Sequence, residues 1–162
     1  MEGWMNMNTY DPQKAARVWQ RVQQQEPDRT ENVRGNLQEL IMNEWLNAAT
    51  YLRLARQMGQ REAVILQKLG REEQNHASCL RGIHKLITGE QSVARWPQPP
   101  ADKPELTLRR CYASHMRSLK EYEKRSDDPE YGPVFARLAQ QERDQCRTVL
   151  ELIGSLGRRT GK

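Results

Sequence analysis

Long apolar runs are missing from this 162-residue chain. No stretch approaches the roughly 20 apolar residues that cross a bilayer, so no membrane partner is expected. The opening residues Met1, Glu2, Gly3 and Trp4 do not follow the basic-then-apolar layout of a secretory leader, and the expected setting is cytoplasmic. Aromatic residues are scarce at 6%, with one Phe, while charged residues make up 29%. That balance disfavours a β-sandwich, which needs aromatic and β-branched strands, and favours helices with solvated faces. Cysteine is scarce too. Cys79, Cys111 and Cys146 lie far apart with no C-x-x-C pair, which excludes a rubredoxin-type iron site, a zinc knuckle and thioredoxin chemistry. They read instead as small, half-buried thiols of a reducing compartment. The net charge is +5, and Arg158, Arg159 and Lys162 make the end of the chain basic. Arginines and glutamates nevertheless alternate along the chain without a basic stripe interleaved with aromatics, so nucleic acid is not an expected partner.

What the chain does contain is helical signal. A short helix is expected over 11–25, with Asp11 as cap and Pro12 at its first position, ended by Pro27-Asp28. Four longer helices follow. The first begins after Thr30 and ends near Met58 before Gly59, and the second runs from Gln60 to Thr88 before Gly89. The third spans Pro104 to Arg125, and the fourth opens at Asp128-Pro129 and ends near Leu156 before Gly157. The expected organisation is an arm with a short helix over 1–29, a four-helix bundle over 30–156 and a basic tail over 157–162.

Between the second and third long helices, residues 89–103 include Trp96-Pro97-Gln98-Pro99-Pro100. An extended, proline-stiffened segment of that length reaches about 45 Å at about 3.1 Å per residue. A 28-residue helix measures about 42 Å. The segment can therefore run the length of the bundle, making two hairpins joined by one long crossover.

Heptad positions locate the core. The stripes read Leu37, Ile41, Glu44, Ala48, Tyr51, Ala55, Met58; then Leu66, Leu69, Glu73, His76, Leu80, Ile83, Ile87; then Leu108, Tyr112, His115, Leu119, Tyr122; and Phe135, Leu138, Glu142, Gln145, Val149, Leu152, Leu156. Each is apolar except near its middle. Counted from the hairpin turns, Glu44, Glu73, His76, His115, Glu142 and Gln145 fall at similar depths. Three carboxylates in one dry layer cost several kcal/mol each when ionised and unpaired. Protons, a buried arginine or a bound cation must compensate them, and carboxylate oxygens with imidazole nitrogens suit iron, manganese or zinc. Tyr51 and Tyr122 read as core aromatics whose hydroxyls serve polar neighbours.

These residues resemble the rubrerythrin branch of the ferritin-like superfamily. The segment from Leu40 to Tyr51, with Glu44 seven residues before Tyr51, looks like that family's first-helix signature, and Glu73-x-x-His76-Ala77 looks like its second. His115 to Tyr122 repeats the seven-residue interval, and Glu142 to Gln145 repeats the second motif. The resemblance covers about 30–156 and is specific in the first half, degenerate in the second. It implies an all-α ferritin-like bundle holding iron or manganese, one or two ions per chain. Glu73 and Glu142 would bridge, Glu44 and His76 would complete one ion's shell, and His115 and Gln145 would stand where the family has a glutamate and a histidine for the other. It implies reduction of hydrogen peroxide or oxidation of ferrous iron, with an external electron donor, and pairing as a homodimer in which Trp19 and Trp45 are candidate contacts. The alternative is a catalytically inactive bundle that serves as an interaction or structural module.

Overall fold

The computed structural model describes residues 36–93 and 98–160. Among these every regular element is helical: α1 over 36–55, α2 over Gln60–Thr88, α3 over Pro104–Arg125 and α4 over Gly132–Thr160. The expected short helix over 11–25, the start of the first long helix after Thr30, Trp19 and Trp96-Pro97 lie outside the described residues.

Glycine and proline set the boundaries of α2 and α3. Gly59 precedes α2 in an extended conformation, and Gly89 ends it with φ 72°, its N–H bonded to the Lys85 carbonyl. That left-handed turn is one a side chain would resist. Pro104 opens α3, where a missing N–H leaves no intrahelical bond unmade. Three other boundaries differ from expectation. α1 leaves the helix at residue 55 rather than 58, closing on the shorter bonds from Arg56 N to Arg53 O and Gln57 N to Leu54 O. α4 begins at Gly132 rather than Asp128, because the Asp128 carboxylate captures the N–H groups of Glu130 and Tyr131 and folds 128–131 into a turn first. Gly157 does not end α4, which continues to Thr160.

Two apolar clusters build the core. One takes Leu37, Leu40 and Ile41 from α1, Leu80 and Ile83 from α2, Tyr122 from α3, and Phe135, Leu138 and Ala139 from α4. The other takes Tyr51, Leu54 and Ala55, then Leu66 and Leu69, then Leu108 and Cys111, then Val149 and Leu152. Early residues of α1 and α4 thus meet late residues of α2 and α3. The helices run up, down, down and up, and a crossover must return the chain between α2 and α3. Each large aliphatic side chain removed from water contributes about 1.5–3 kcal/mol. Gly70 lets α2 approach α1 closely, since a Cβ there would sit 3.0 Å from Leu52 Cγ. Trp45 packs against the first cluster.

The crossover is tied to α1 at two heights. Gln38 donates from Nε2 to the Val93 carbonyl and accepts the Val93 N–H, both at 3.1 Å. Arg53 donates from Nη1 to the carbonyls of Pro99 and Pro100, both at 2.9 Å. The stretch of α1 between these anchors is about 22 Å long at 1.5 Å per residue. The described ends of the crossover are therefore held at two heights of α1, consistent with the length argument.

One stripe is rotated. On α3, Tyr112 and Leu119 are only half-buried, while Cys111, Ser114 and Ser118 turn fully inward. Small polar side chains fill the face where larger apolar ones were expected.

Candidate metal centre

Between the two apolar clusters the core changes chemistry. Glu44, Glu73, His115 and Glu142 have no solvent exposure, and His76 and Gln145 are 2% exposed. All six polar positions read from the stripes are therefore buried inside the bundle. A bland helix-surface role for any of them is ruled out by burial alone.

Four of them converge most tightly. Glu44, Glu73, His76 and Glu142 each present one ligand atom within 4.8 Å of the other three. The imidazole of His76 sits at the focus. Its Nδ1 is 3.1 Å from Glu142 Oε1, 3.5 Å from Glu73 Oε1 and 3.7 Å from Glu44 Oε2. Its Nε2 lies 3.2 Å from Gln141 Oε1, which accepts the N–H on that side. A ring held this way by its outer nitrogen keeps the inner one aimed at the carboxylates, as metal-binding histidines usually are.

Two oxygens at this focus, Glu44 Oε2 and Glu73 Oε1, make no hydrogen bond. The other carboxylate oxygens of the layer are served. Glu44 Oε1 accepts from Tyr122 at 2.5 Å and from Ser118 at 3.0 Å. Glu73 Oε2 accepts from Asn47 Nδ2 at 3.0 Å. Glu142 Oε2 lies 2.6 Å from His115 Nδ1, and His115 Nε2 lies 2.6 Å from the Tyr51 hydroxyl. The tyrosines are exchanged between hairpins: Tyr51 on α1 reaches His115 on α3, and Tyr122 on α3 reaches Glu44 on α1. Gln145 turns its amide outward to Glu72 at 3.3 Å and keeps its oxygen buried without a partner.

Charge follows this geometry. Burial disfavours the His76 imidazolium, but Glu142 and Glu44 outweigh it and push the ring up to about 10. Burial would likewise raise the Glu44 carboxyl, yet His76 beside it holds the group below the ordinary carboxylate range. Glu73 is driven well upward, first by burial and then by the negative charges of Glu44 and Glu142. Without a metal the layer favours a proton on His76, and the Glu73 carboxyl is the one of the group most opposed to ionising. Burial, with the carboxylates nearby, also raises Tyr51 and Tyr122 far above the ordinary phenol value, so both stay protonated donors.

Reading the stripes missed the groups that support the carboxylates. Asn47 follows Glu44 by three residues and Ser118 precedes Tyr122 by four, so helical spacing from a seam residue was the available signal. Gln141 gave none, being an exposed residue next to Glu142. The third histidine, His84, is buried apart from the layer, with Nδ1 near the Glu90 carbonyl at the end of α2. A cavity of about 260 Å³ opens between α1 and α3 beneath the strap, lined by Asn43, Asn47, Thr107, Arg110 and Ser114 among others. Asn47 is a wall of that cavity on one side and a donor to Glu73 on the other. The three cysteines are free, Cys111 and Cys146 buried and Cys79 half-buried. No described helix is long and apolar enough to cross a membrane.

A buried carboxylate and imidazole group able to hold a metal ion is what this bundle presents. No family model, no curated protein and no solved structure matches the chain.

Proposed function

We propose that the chain is a rubrerythrin-like, ferritin-type bundle that binds iron or manganese in its polar layer and acts as a non-haem oxidoreductase, reducing peroxide or oxidising ferrous iron. One observation carries the metal: two fully buried carboxylate oxygens, on Glu44 and Glu73, are left without donors beside the inner nitrogen of His76. Buried acceptors of this kind cost free energy unless something positive occupies the space they face. Glu44, Glu73, His76 and Glu142 would hold the ion. A redox-active metal would supply Lewis acidity and electron transfer there. The chain's own groups hold the carboxylates in place through Asn47, Ser118 and Tyr122, and orient His76 through Gln141. The α1/α3 cavity offers a small polar reactant a way toward the layer. Electrons would come from an external donor, and homodimer formation belongs to the same proposal.

The test is metal loading of protein purified anaerobically and incubated with Fe(II) or Mn(II). Binding of less than about 0.5 ion per chain, unchanged in Glu73→Ala, would overturn the reading.

A second reading, a metal-free structural module, is favoured by the hydrogen bonds that already satisfy the remaining carboxylate oxygens and by the proton on His76. Melting with and without chelator separates the two. A bound ion at 100 times its dissociation constant adds about 2.7 kcal/mol of stability, whereas an empty bundle melts unchanged.

A further inference from the structure

The two bridging candidates, Glu73 and Glu142, each turn one oxygen to either side of the layer, and the two sides differ. On the His76 side, Glu73 Oε1 and Glu44 Oε2 have no donor, and Glu142 Oε1 has only the His76 nitrogen that an ion would share. On the His115 side the oxygens are already taken. Glu73 Oε2 receives the Asn47 N–H, and Glu142 Oε2 lies 2.6 Å from His115 Nδ1. An ionised carboxylate can only accept, so that nitrogen carries the proton, and Nε2 then accepts from Tyr51. His76 can yield its Nδ1 proton to an entering ion and stay a neutral ring that donates from Nε2 to Gln141, whereas His115 would have to move its proton to Nε2 and reverse its bond with Tyr51. His115 Nδ1 is also 4.0 Å from Glu73 Oε2, and among the described residues a four-ligand grouping forms on the His76 side alone. Gln145, which by the resemblance would serve this side, offers a neutral amide oxygen without a partner.

Charge points the same way. Glu44, Glu73 and Glu142 together bring three negative charges when ionised. One dication leaves a single negative charge, and the groups aimed at the carboxylates are donors suited to it: Tyr122, Ser118, Asn47 and His115. Two dications would leave the layer positive, with one amide oxygen to meet them.

From this asymmetry we infer that the centre is mononuclear: one iron or manganese ion on Glu44, Glu73, His76 and Glu142, with His115 and Tyr51 closing the second position as a hydrogen-bonded pair. The inference rests on the metal-binding reading and narrows it.

Anaerobic titration of the metal-free full chain with Mn(II), followed by elemental analysis and electron paramagnetic resonance, tests it. The expected result is about one ion per chain with the spectrum of an isolated Mn(II) ion. The conservative variant His115→Gln is expected to keep that stoichiometry, whereas His76→Gln is expected to lose at least tenfold in affinity. Two ions per chain, or the signal of a coupled pair, would overturn this inference and leave the metal-binding reading standing. Loss of the bound ion in a folded His115→Gln variant would overturn it as well. Zero ions would remove both.

Discussion

Nδ1 of His76 on α2 and Oε1 of Glu142 on α4 lie 3.1 Å apart in a layer closed to solvent, and this contact links protonation to stability. The ring's proton affinity rises from 6.5 to about 10 on folding. Between those values the folded chain binds more protons than the unfolded one. Stability therefore falls as pH rises through that window. Glu73, also shifted upward, contributes the same sign. Glu44 is shifted downward, so its contribution is present above its ordinary value of 4.5 and is lost as pH falls below it. Urea unfolding of metal-free protein is expected to show a lower midpoint at pH 9 than at pH 6.5. An unchanged or higher midpoint at pH 9 contradicts the assignment.

An ion entering this layer must displace the proton on His76 and opposes the upward shift of Glu73. Metal binding at neutral pH is therefore expected to release protons. Calorimetric titration with Mn(II) in buffers of different ionisation enthalpy should give apparent heats that vary with the buffer. Identical heats would show that the layer was already deprotonated.

Tyr122 supplies Glu44 with its shortest hydrogen bond, and Ser118 donates to the same oxygen. Tyr122→Phe keeps the ring in its apolar cluster and removes only the hydroxyl. A hydrogen bond to a charged group contributes about 1.5–3 kcal/mol, and a loss of that size is expected in denaturant unfolding of the metal-free chain. A variant as stable as the parent would mean that Ser118 alone satisfies the carboxylate.

Arg53 holds the crossover by two carbonyls. Because the guanidinium is part-exposed, Arg53→Ala is expected to cost only about 1–2 kcal/mol of global stability. Its larger effect should be local. Limited proteolysis is expected to cut the variant within 89–103 faster than the parent, with α1 to α4 left intact. Equal cleavage rates would show that Gln38 is sufficient to hold the strap.

Much of this architecture can be read in the sequence because its signals are anomalies. A glutamate inside an apolar stripe demands an explanation, and four stripes broken at one depth demand the same one. α2 is bounded on both sides by glycine, so its limits follow directly from Gly59 and Gly89. Gly157 misleads, because a glycine inside an exposed helical turn costs only about 1 kcal/mol and does not have to end the helix. α3 misleads in another way. Tyr112 and Leu119 draw the eye as stripe residues, yet the interior level with Glu44 needs hydroxyl donors, and Ser118 takes the inward position. Asn47 and Ser118 were hidden because amides and hydroxyls are common on any helix surface. Their role depends on which carboxylate stands opposite, which spacing within one helix does not reveal.

The division of the bundle into two hairpins also bears on how the chain assembles. Each hairpin closes through a short turn, but the bonds joining one hairpin to the other span long loops: 64 residues from Tyr51 to His115, 66 from His76 to Glu142 and 78 from Glu44 to Tyr122. Contacts so distant in sequence form slowly, after local ones. The carboxylates therefore stay hydrated while each hairpin forms and shed their water only when the two halves dock. The electrostatic penalty of the layer is concentrated in that last step, so a cation captured by the half-docked chain would accelerate folding as well as stabilise its product.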